Sequence, residues 1–294
     1  MKRTIRIGSR ESMLAIRQAD IVMHTVKKNA PSVEFELITM KTTGDKILDK
    51  SLDSIGGKGL FIKELEQALA DGEIDIAVHS YKDMPYEETD GLPIVALSQR
   101  ETPYDALVLP AGAPALDISK PVGSSSLRRT LQFNKLYSGH AIKPVRGNIP
   151  TRLSKLDGGE YSALILAEAG LNRLSLQKRV SRVFTPDEMI PSASQGILAV
   201  QGRRNEDHSY LDSFHDRASE TVSKAERQFL KTLGGGCTSP VAVYGRIQNN
   251  ELLLTGMYAD ASGNMEKGKI TGAAERAEWL GEALATELSN KFRR

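Results

Sequence analysis

One cysteine in 294 residues excludes an intrachain disulfide and any zinc site built from several thiolates. The five histidines show no His-x-x-x-His spacing, so the sequence offers no histidine metal site either, and no metal is expected. Aromatic residues make up only 5% of the chain and do not interleave with its basic residues, which argues against a nucleic-acid partner. Excess charge is missing too: 39 basic and 37 acidic residues leave a net +2, so any anion-binding patch must be local. No apolar run approaches the roughly 20 residues that a membrane crossing needs, and Met1 to Gly8 carry no apolar signal segment. With a lone free thiol, these absences set the expectation of a cytoplasmic protein with no membrane partner. Gly56-Gly57-Lys58-Gly59 lacks the following Lys-Ser/Thr of a phosphate loop, and no Gly-x-Gly-x-x-Gly opens a helix, so nucleotide cofactors gain no support.

What is present is a strand–helix alternation. Thr4 to Gly8 reads as a strand, and Ser12 can cap a helix to about Lys28 with Leu14, Ile16, Ile21, Val22 and Val26 on its apolar face. Val33 to Ile38, Ile74 to Val78 and Leu92 to Leu97 read as further strands, and Leu60 to Asp71 as a helix. The rhythm repeats: Ser126 precedes a helix to about Tyr137, Asn148 and Pro150 open another, and Ala163 to Ala167 is a buried strand. From about residue 218 the pattern becomes helix, three strands, helix. The expected architecture is α/β with parallel sheets in two domains, followed by a small α+β domain. The expected divisions are residues 1–99 with 196–217, then 100–195, then 218–294. Trp279 is expected in the core.

Three strand-to-helix junctions carry the same kinds of side chain: Arg10 and Ser12; Ser124, Ser125, Ser126, Arg128 and Arg129; Arg146, Asn148, Thr151 and Arg152. A helix start presents free N–H groups and positive potential, and arginine adds a two-pronged grip on carboxylate or phosphate. Such loops lie at the carboxyl ends of strands, where open α/β sheets bind ligands. A shared polyanionic ligand is the expectation. Lys82 and Asp83 follow a buried strand, and Asp83 is the candidate for acid–base or charge-stabilising work; a cap or an ion pair with Lys82 is the alternative. His79 reads as a structural histidine, since no Gly-x-Ser-x-Gly elbow accompanies it. Cys237, in Gly234-Gly235-Gly236-Cys237, is either a reactive thiol or a small buried filler.

Several of these segments together resemble the porphobilinogen deaminase (hydroxymethylbilane synthase) family along nearly the whole chain. They are Gly8-Ser9-Arg10-Glu11-Ser12, Lys41-Thr42-Thr43-Gly44-Asp45, Gly56-Gly57-Lys58-Gly59-Leu60-Phe61, His79-Ser80-Tyr81-Lys82-Asp83-Met84-Pro85, Ser126-Leu127-Arg128-Arg129, Arg146-Gly147-Asn148-Ile149-Pro150-Thr151-Arg152 and the glycine-flanked Cys237. The resemblance implies two domains similar to the lobes of type II periplasmic binding proteins, and a third that carries a dipyrromethane cofactor as a thioether on Cys237. It implies an enzyme that condenses four porphobilinogen molecules on this primer with release of ammonia, giving the linear tetrapyrrole hydroxymethylbilane. Asp83 would be the catalytic carboxylate. Arg10, Ser12, Lys82, Ser126, Arg128, Arg129, Arg146, Arg152, Arg173 and Gln195 would hold the acetate and propionate groups of the pyrroles, with Lys58 and Phe61 as loop contacts. A monomer is the family-based expectation.

Two positions depart from the family pattern: Ser194 stands where glycine is usual, and Gln201 where glutamate is usual. A two-lobed anion-binding module without catalysis would also account for the arginine junctions, but it would need neither Asp83 nor a thiol in a glycine loop. A cysteine hydrolase would need a histidine partner, and none is matched.

Overall fold

The computed structural model describes residues 3–42, 62–235, 240–260 and 262–292. Cys237, Lys58 and Phe61 lie outside these residues. The chain separates into two compact units, Met1–Arg100 with Ile197–Glu220, and Glu101–Gly196 with Thr221–Arg294.

In the first unit, β1 (Arg3–Arg10) leads into α1 (Met13–Asn29), followed by β2 (Val33–Met40), α2 (Lys63–Ala70), β3 (Ile76–Ser80) and β4 (Ile94–Leu97). The second unit contributes β5 (Asp105–Val108), β6 (Val122–Gly123), α3 (Leu127–Leu136), β7 (Ile142–Lys143), α4 (Ile149–Asp157), β8 (Ala163–Ala167), α5 (Glu168–Arg173) and β9 (Arg182–Val183). The chain then returns to the first unit as β10 (Leu198–Gly202). After α6 (Arg217–Thr232) come β11 (Val241–Gln248), β12 (Glu251–Ala259), β13 (Met265–Ala273) and α7 (Ala277–Asn290).

The first sheet has the order β2-β1-β3-β10-β4, the second β7-β6-β8-β5-β9, and the third β11-β12-β13. Both large sheets are mixed, where parallel sheets were expected. β1 pairs in parallel with β2 and β3, but β10 runs antiparallel to β3 and β4. The reason is where the chain re-enters. The amide of Tyr81, just past β3, donates to the carbonyl of Ile197 at 3.0 Å, so β10 starts at the carboxyl end of β3 and must run back along it. β5 likewise pairs antiparallel with β8, while β6 pairs parallel with β8. The residues expected in domains two and three, 100–195 and 218–294, form separate sheets but fall largely in one compact unit.

Burial explains the elements. α1 is capped by Ser12, whose Oγ accepts from the Ala15 amide, and it buries Ala15, Ala19, Val22 and Val26 at helical spacing. Of these, Ala19, Val22 and Val26 pack with Ile5, Ile7, Ile76 and Val200 of the sheet. In the C-terminal sheet, α6 and α7 pack Phe229, Leu280, Leu284 and Leu288 against Leu252 and Leu254, all 1% exposed or less. Removing each such side chain from water contributes about 1.5–3 kcal/mol. The two helices cross so closely that a Cβ on Gly281 would lie 2.2 Å from the Ala225 carbonyl oxygen. Trp279 is not in this core. α7 turns Leu280, Leu284 and Leu288 inward, which leaves Trp279 49% exposed with the Arg276 guanidinium 3.8 Å above its ring.

Both departures from the family pattern have local accounts. Ser194 adopts φ 57°, the left-handed region that glycine enters without steric cost. Its amide donates to the buried Glu226 at 2.6 Å, but its hydroxyl is buried with no hydrogen-bond partner. Replacing Ser194 by glycine removes both the strained conformation and the orphaned hydroxyl, at a smaller cost in unfolded-chain entropy. We expect Ser194→Gly to stabilise the protein by about 1–2 kcal/mol. An unchanged or lower urea midpoint would contradict this. Gln201 is fully buried, and its Nε2 donates to Glu66 Oε1 and to the Leu92 carbonyl, each at 2.9 Å. A glutamate in the same pose would set a carboxylate against a carboxylate and a carbonyl; the amide Nε2 is matched to both, while Oε1 is buried without a hydrogen-bond partner.

Candidate functional site

Each unit gathers its candidate residues at the carboxyl ends of its strands. In the first unit, β3 is wholly apolar up to His79 and runs into a 3-10 turn, Tyr81–Asp83. Tyr81 and Met84 are buried in a cluster with Ile62, Leu97, Ile197 and Ala199, so both ends of the turn are anchored. Pro85 bars its extension into a helix. Lys82 is left half-buried and Asp83 exposed at the sheet edge. Arg10 closes β1, two residues beyond the last β1–β3 pair, Gly8 with Ala77, and its charge is felt at His79. Ser12 follows as the cap of α1, half-buried.

His79 is a buried, neutral residue. Burial pushes its pKa down to about 4, and the nearby charge of Arg10 adds to the effect. Its Nε2 has no hydrogen-bond partner. The neighbouring Ser80 hydroxyl accepts from the Gln18 side chain at 2.8 Å.

In the second unit, three serines join β6 to α3. Ser125 Oγ donates to the Val145 carbonyl and accepts from the Val145 amide, at 2.8 and 3.1 Å. Ser126 caps α3 by accepting from the Arg129 amide. This cap places Arg128 and Arg129 in the first turn, both nearly buried at 4% and 9% exposure. Sequence reading expected them to face a ligand. The structure gives them a protein partner as well, Asp105, the first residue of β5 and 0% exposed. Arg128 Nη1 donates to Asp105 Oδ2 at 2.6 Å and to the Ile190 carbonyl at 2.7 Å. Arg129 Nε and Nη2 reach Asp105 Oδ1 at 3.0 and 2.7 Å, and its Nη1 reaches the Ile165 carbonyl at 3.1 Å. Gln195 joins the cluster: its Nε2 donates to Asp105 Oδ1 at 3.0 Å and to the Pro103 carbonyl at 2.6 Å. Burial alone would raise the Asp105 pKa, but Arg128 and Arg129 hold it well below the usual carboxylate range. Burial pulls the Arg128 pKa down, and Asp105 opposes it.

The third junction is built on Gly147 and Asn148. At Gly147 the backbone has φ 108°, and a Cβ there would come 2.7 Å from a Thr151 methyl. Asn148 Oδ1 accepts from the Thr151 amide and hydroxyl, which starts α4. Arg146 stands half-buried just before the turn, and Arg152 Nε donates to the Gly147 carbonyl at 2.7 Å. Arg173, at the end of α5, donates to the Gly196 carbonyl at 2.6 Å. Burial lowers its pKa to about 10, with Glu101 opposing, so it stays charged near neutrality. The structure therefore brings Arg10, Ser12, Lys82 and Asp83 to one strand edge, and Ser126, Arg128, Arg129, Arg146 and Arg152 to the helix starts of the other sheet. Gln195 joins the latter through Asp105.

Asp105 was missed in the sequence. Its only signal is an acid at the head of the apolar run Ala106-Leu107-Val108. Among the described residues, no group of three or more His, Cys, Asp or Glu side chains could hold a metal ion. Nor is any described helix long and apolar enough to cross a membrane.

The fold is that of an α/β protein, with an exposed carboxylate at a strand end of the first unit and arginine-bearing helix starts in the second. The chain belongs to the porphobilinogen deaminase family: residues 5–211 match the family's "dipyromethane cofactor binding domain" and residues 221–290 its "C-terminal domain". It is 57% identical to the porphobilinogen deaminase of Acetivibrio thermocellus over 97% of both chains. Identity is 53% with that of Alkaliphilus oremlandii, over 98% of this chain and 97% of the relative. With that of Neisseria meningitidis serogroup A it is 41%, over 97% of this chain and 93% of the relative. Among solved structures, the methionine-binding protein MetQ is similar at a TM-score of 0.44 and 14% identity, over 72% of this chain and 88% of MetQ.

Proposed function

We propose that this protein is a transferase that joins four porphobilinogen molecules, releasing an ammonia at each step, and hydrolyses the product to the linear tetrapyrrole hydroxymethylbilane. The observation that carries this reading is the exposed Asp83 carboxylate at the end of β3, held by buried flanking residues, in a chain that matches the family through both of its domains. Each pyrrole brings an acetate and a propionate, so a growing chain is a polyanion. Arginines at helix starts suit that ligand, because a guanidinium grips a carboxylate through two parallel N–H donors.

Dipyrromethane, attached as a thioether to Cys237, fits the donor set. Arg128 keeps two of its three side-chain nitrogens without a protein acceptor among the described residues, and Arg10, Lys82, Arg146, Arg152 and Arg173 supply further cations. When bound, the cofactor would supply a primer with a free pyrrole position for the first substrate. Ser126, Arg128, Arg129 and Gln195 would orient carboxylates from the second unit, and Arg10, Ser12 and Lys82 from the first. Lys58 and Phe61 would be loop contacts. Asp83 would hold the pyrrole N–H groups and stabilise the positive charge that develops on the substrate as ammonia leaves. It would also take and return the proton at the attacking ring.

The protein would act as a cytoplasmic monomer in tetrapyrrole (porphyrin, haem) biosynthesis, with residues 1–99 and 196–217, 100–195 and 218–294 as its three domains. Incubation with porphobilinogen tests the reading: consumption of substrate with release of ammonia and formation of hydroxymethylbilane is expected. Carboxylate–arginine contacts open to water are screened by salt, so we also expect KM to rise several-fold between low salt and about 1 M. A KM indifferent to salt would count against the arginine receptor.

A further inference from the structure

Asp105 is one carboxylate shared by two buried guanidiniums. Its Oδ1 accepts from Arg129 Nε, Arg129 Nη2 and Gln195 Nε2, and its Oδ2 from Arg128 Nη1. The consequences for the two arginines differ. Each Arg129 nitrogen already donates to protein: two to Asp105 and one to the Ile165 carbonyl. Arg128 is held by one nitrogen only, since Nη1 serves both Asp105 and the Ile190 carbonyl. Its Nε and Nη2 have no acceptor among the described residues, and neither is a buried orphan. These two nitrogens form the edge of a guanidinium that takes a carboxylate through two parallel hydrogen bonds. The count of charges points the same way. Two cations against one anion leave a net positive charge in a nearly buried cluster, a costly arrangement that an arriving carboxylate relieves.

The geometry of Asp105 is set by the sheet. Because β5 runs antiparallel to β8, the first residue of β5 lies at the carboxyl end of β8, on the same edge as the start of α3. We propose that Asp105 is a positioning residue: by clamping Nη1 of Arg128 and the paired nitrogens of Arg129, it presents the Nε/Nη2 edge of Arg128 to a carboxylate of the bound pyrrole chain. Without the clamp the arginines remain, but the receptor edge loses its aim. This assignment rests on the function proposed above.

The test uses the cofactor-bearing enzyme, with rates normalised to the fraction that carries the two-pyrrole mass increment. Asp105→Asn keeps the shape and removes the charge; Asp105→Glu keeps the charge and moves it by one methylene. Positioning predicts that KM for porphobilinogen rises about tenfold in Asp105→Asn, equivalent to about 1.4 kcal/mol, while kcat stays within about threefold. Asp105→Glu is expected to fall between parent and Asn. A purely structural counter-ion would lower the urea midpoint and leave KM of the folded fraction at the parental value, and that result would overturn the assignment. If Asp105→Asn does not fold, Asp105→Glu decides on the same criterion, and failure of both to fold also overturns it. A parent enzyme that consumes no porphobilinogen would overturn the functional reading and this assignment with it; an active parent beside a variant of parental KM overturns the assignment alone.

Discussion

Replacing Asp83 by asparagine is expected to lower kcat for porphobilinogen by about 10²–10³-fold, the usual loss when a group that stabilises transition-state charge is removed. The change is nearly isosteric at an exposed position, so stability should stay within about 0.5 kcal/mol of the parent. The turn is held by Tyr81 and Met84, not by the aspartate, which is why chemistry and folding separate at this residue. The measurement is steady-state turnover beside a urea melt. Parental turnover in a folded Asp83→Asn variant would remove Asp83 from the mechanism and favour an anion-binding module without catalysis.

The second large effect is expected at Cys237. With the primer attached as proposed, Cys237→Ser lacks the attachment point and should show no detectable hydroxymethylbilane formation. A hydroxyl is a far poorer nucleophile than a thiol near neutral pH, and serine is not expected to substitute. Activity close to the parent in this variant would mean that the thiol is a filler of the glycine loop.

Much of this organisation was legible in the sequence because local chemistry announces it. Ser12 was readable as a helix cap and Ser126 and Asn148 as marking helix starts, and each accepts from the amide three residues on. The apolar run Ala163 to Ala167 forms a strand with those bounds. Non-local facts were not legible. Nothing in the short segment Asp105–Val108 says that it pairs with β8 and β9, and nothing in Leu198–Gly202 says that it inserts antiparallel between β3 and β4. Both orientations follow from where the chain passes from one unit to the other. Trp279 was misplaced because a single large apolar residue was weighed by type, while the helix phase set by Leu280, Leu284 and Leu288 decides its side.

The candidate site divides the same way. Lys82, Asp83 and the arginines of the three junctions could be proposed from sequence because each sits in a recognisable segment just after a strand or at a helix start. The ties of Arg128, Arg129 and Gln195 to Asp105 span 23, 24 and 90 residues, so they were visible only in the folded chain. The two departures from the family pattern were noticed in the sequence and explained by the structure. Ser194 occupies a glycine conformation, and Gln201 supplies an amide where Glu66 and a backbone carbonyl need a donor.

The proposed activity is polymerisation of porphobilinogen on a primer carried by Cys237. The intact mass of the purified protein tests it most directly, read beside Cys237→Ser. An increment of two linked pyrrole units is expected on the parent, and the bare polypeptide mass for the variant. A bare mass for the parent that persists after incubation with porphobilinogen would contradict it.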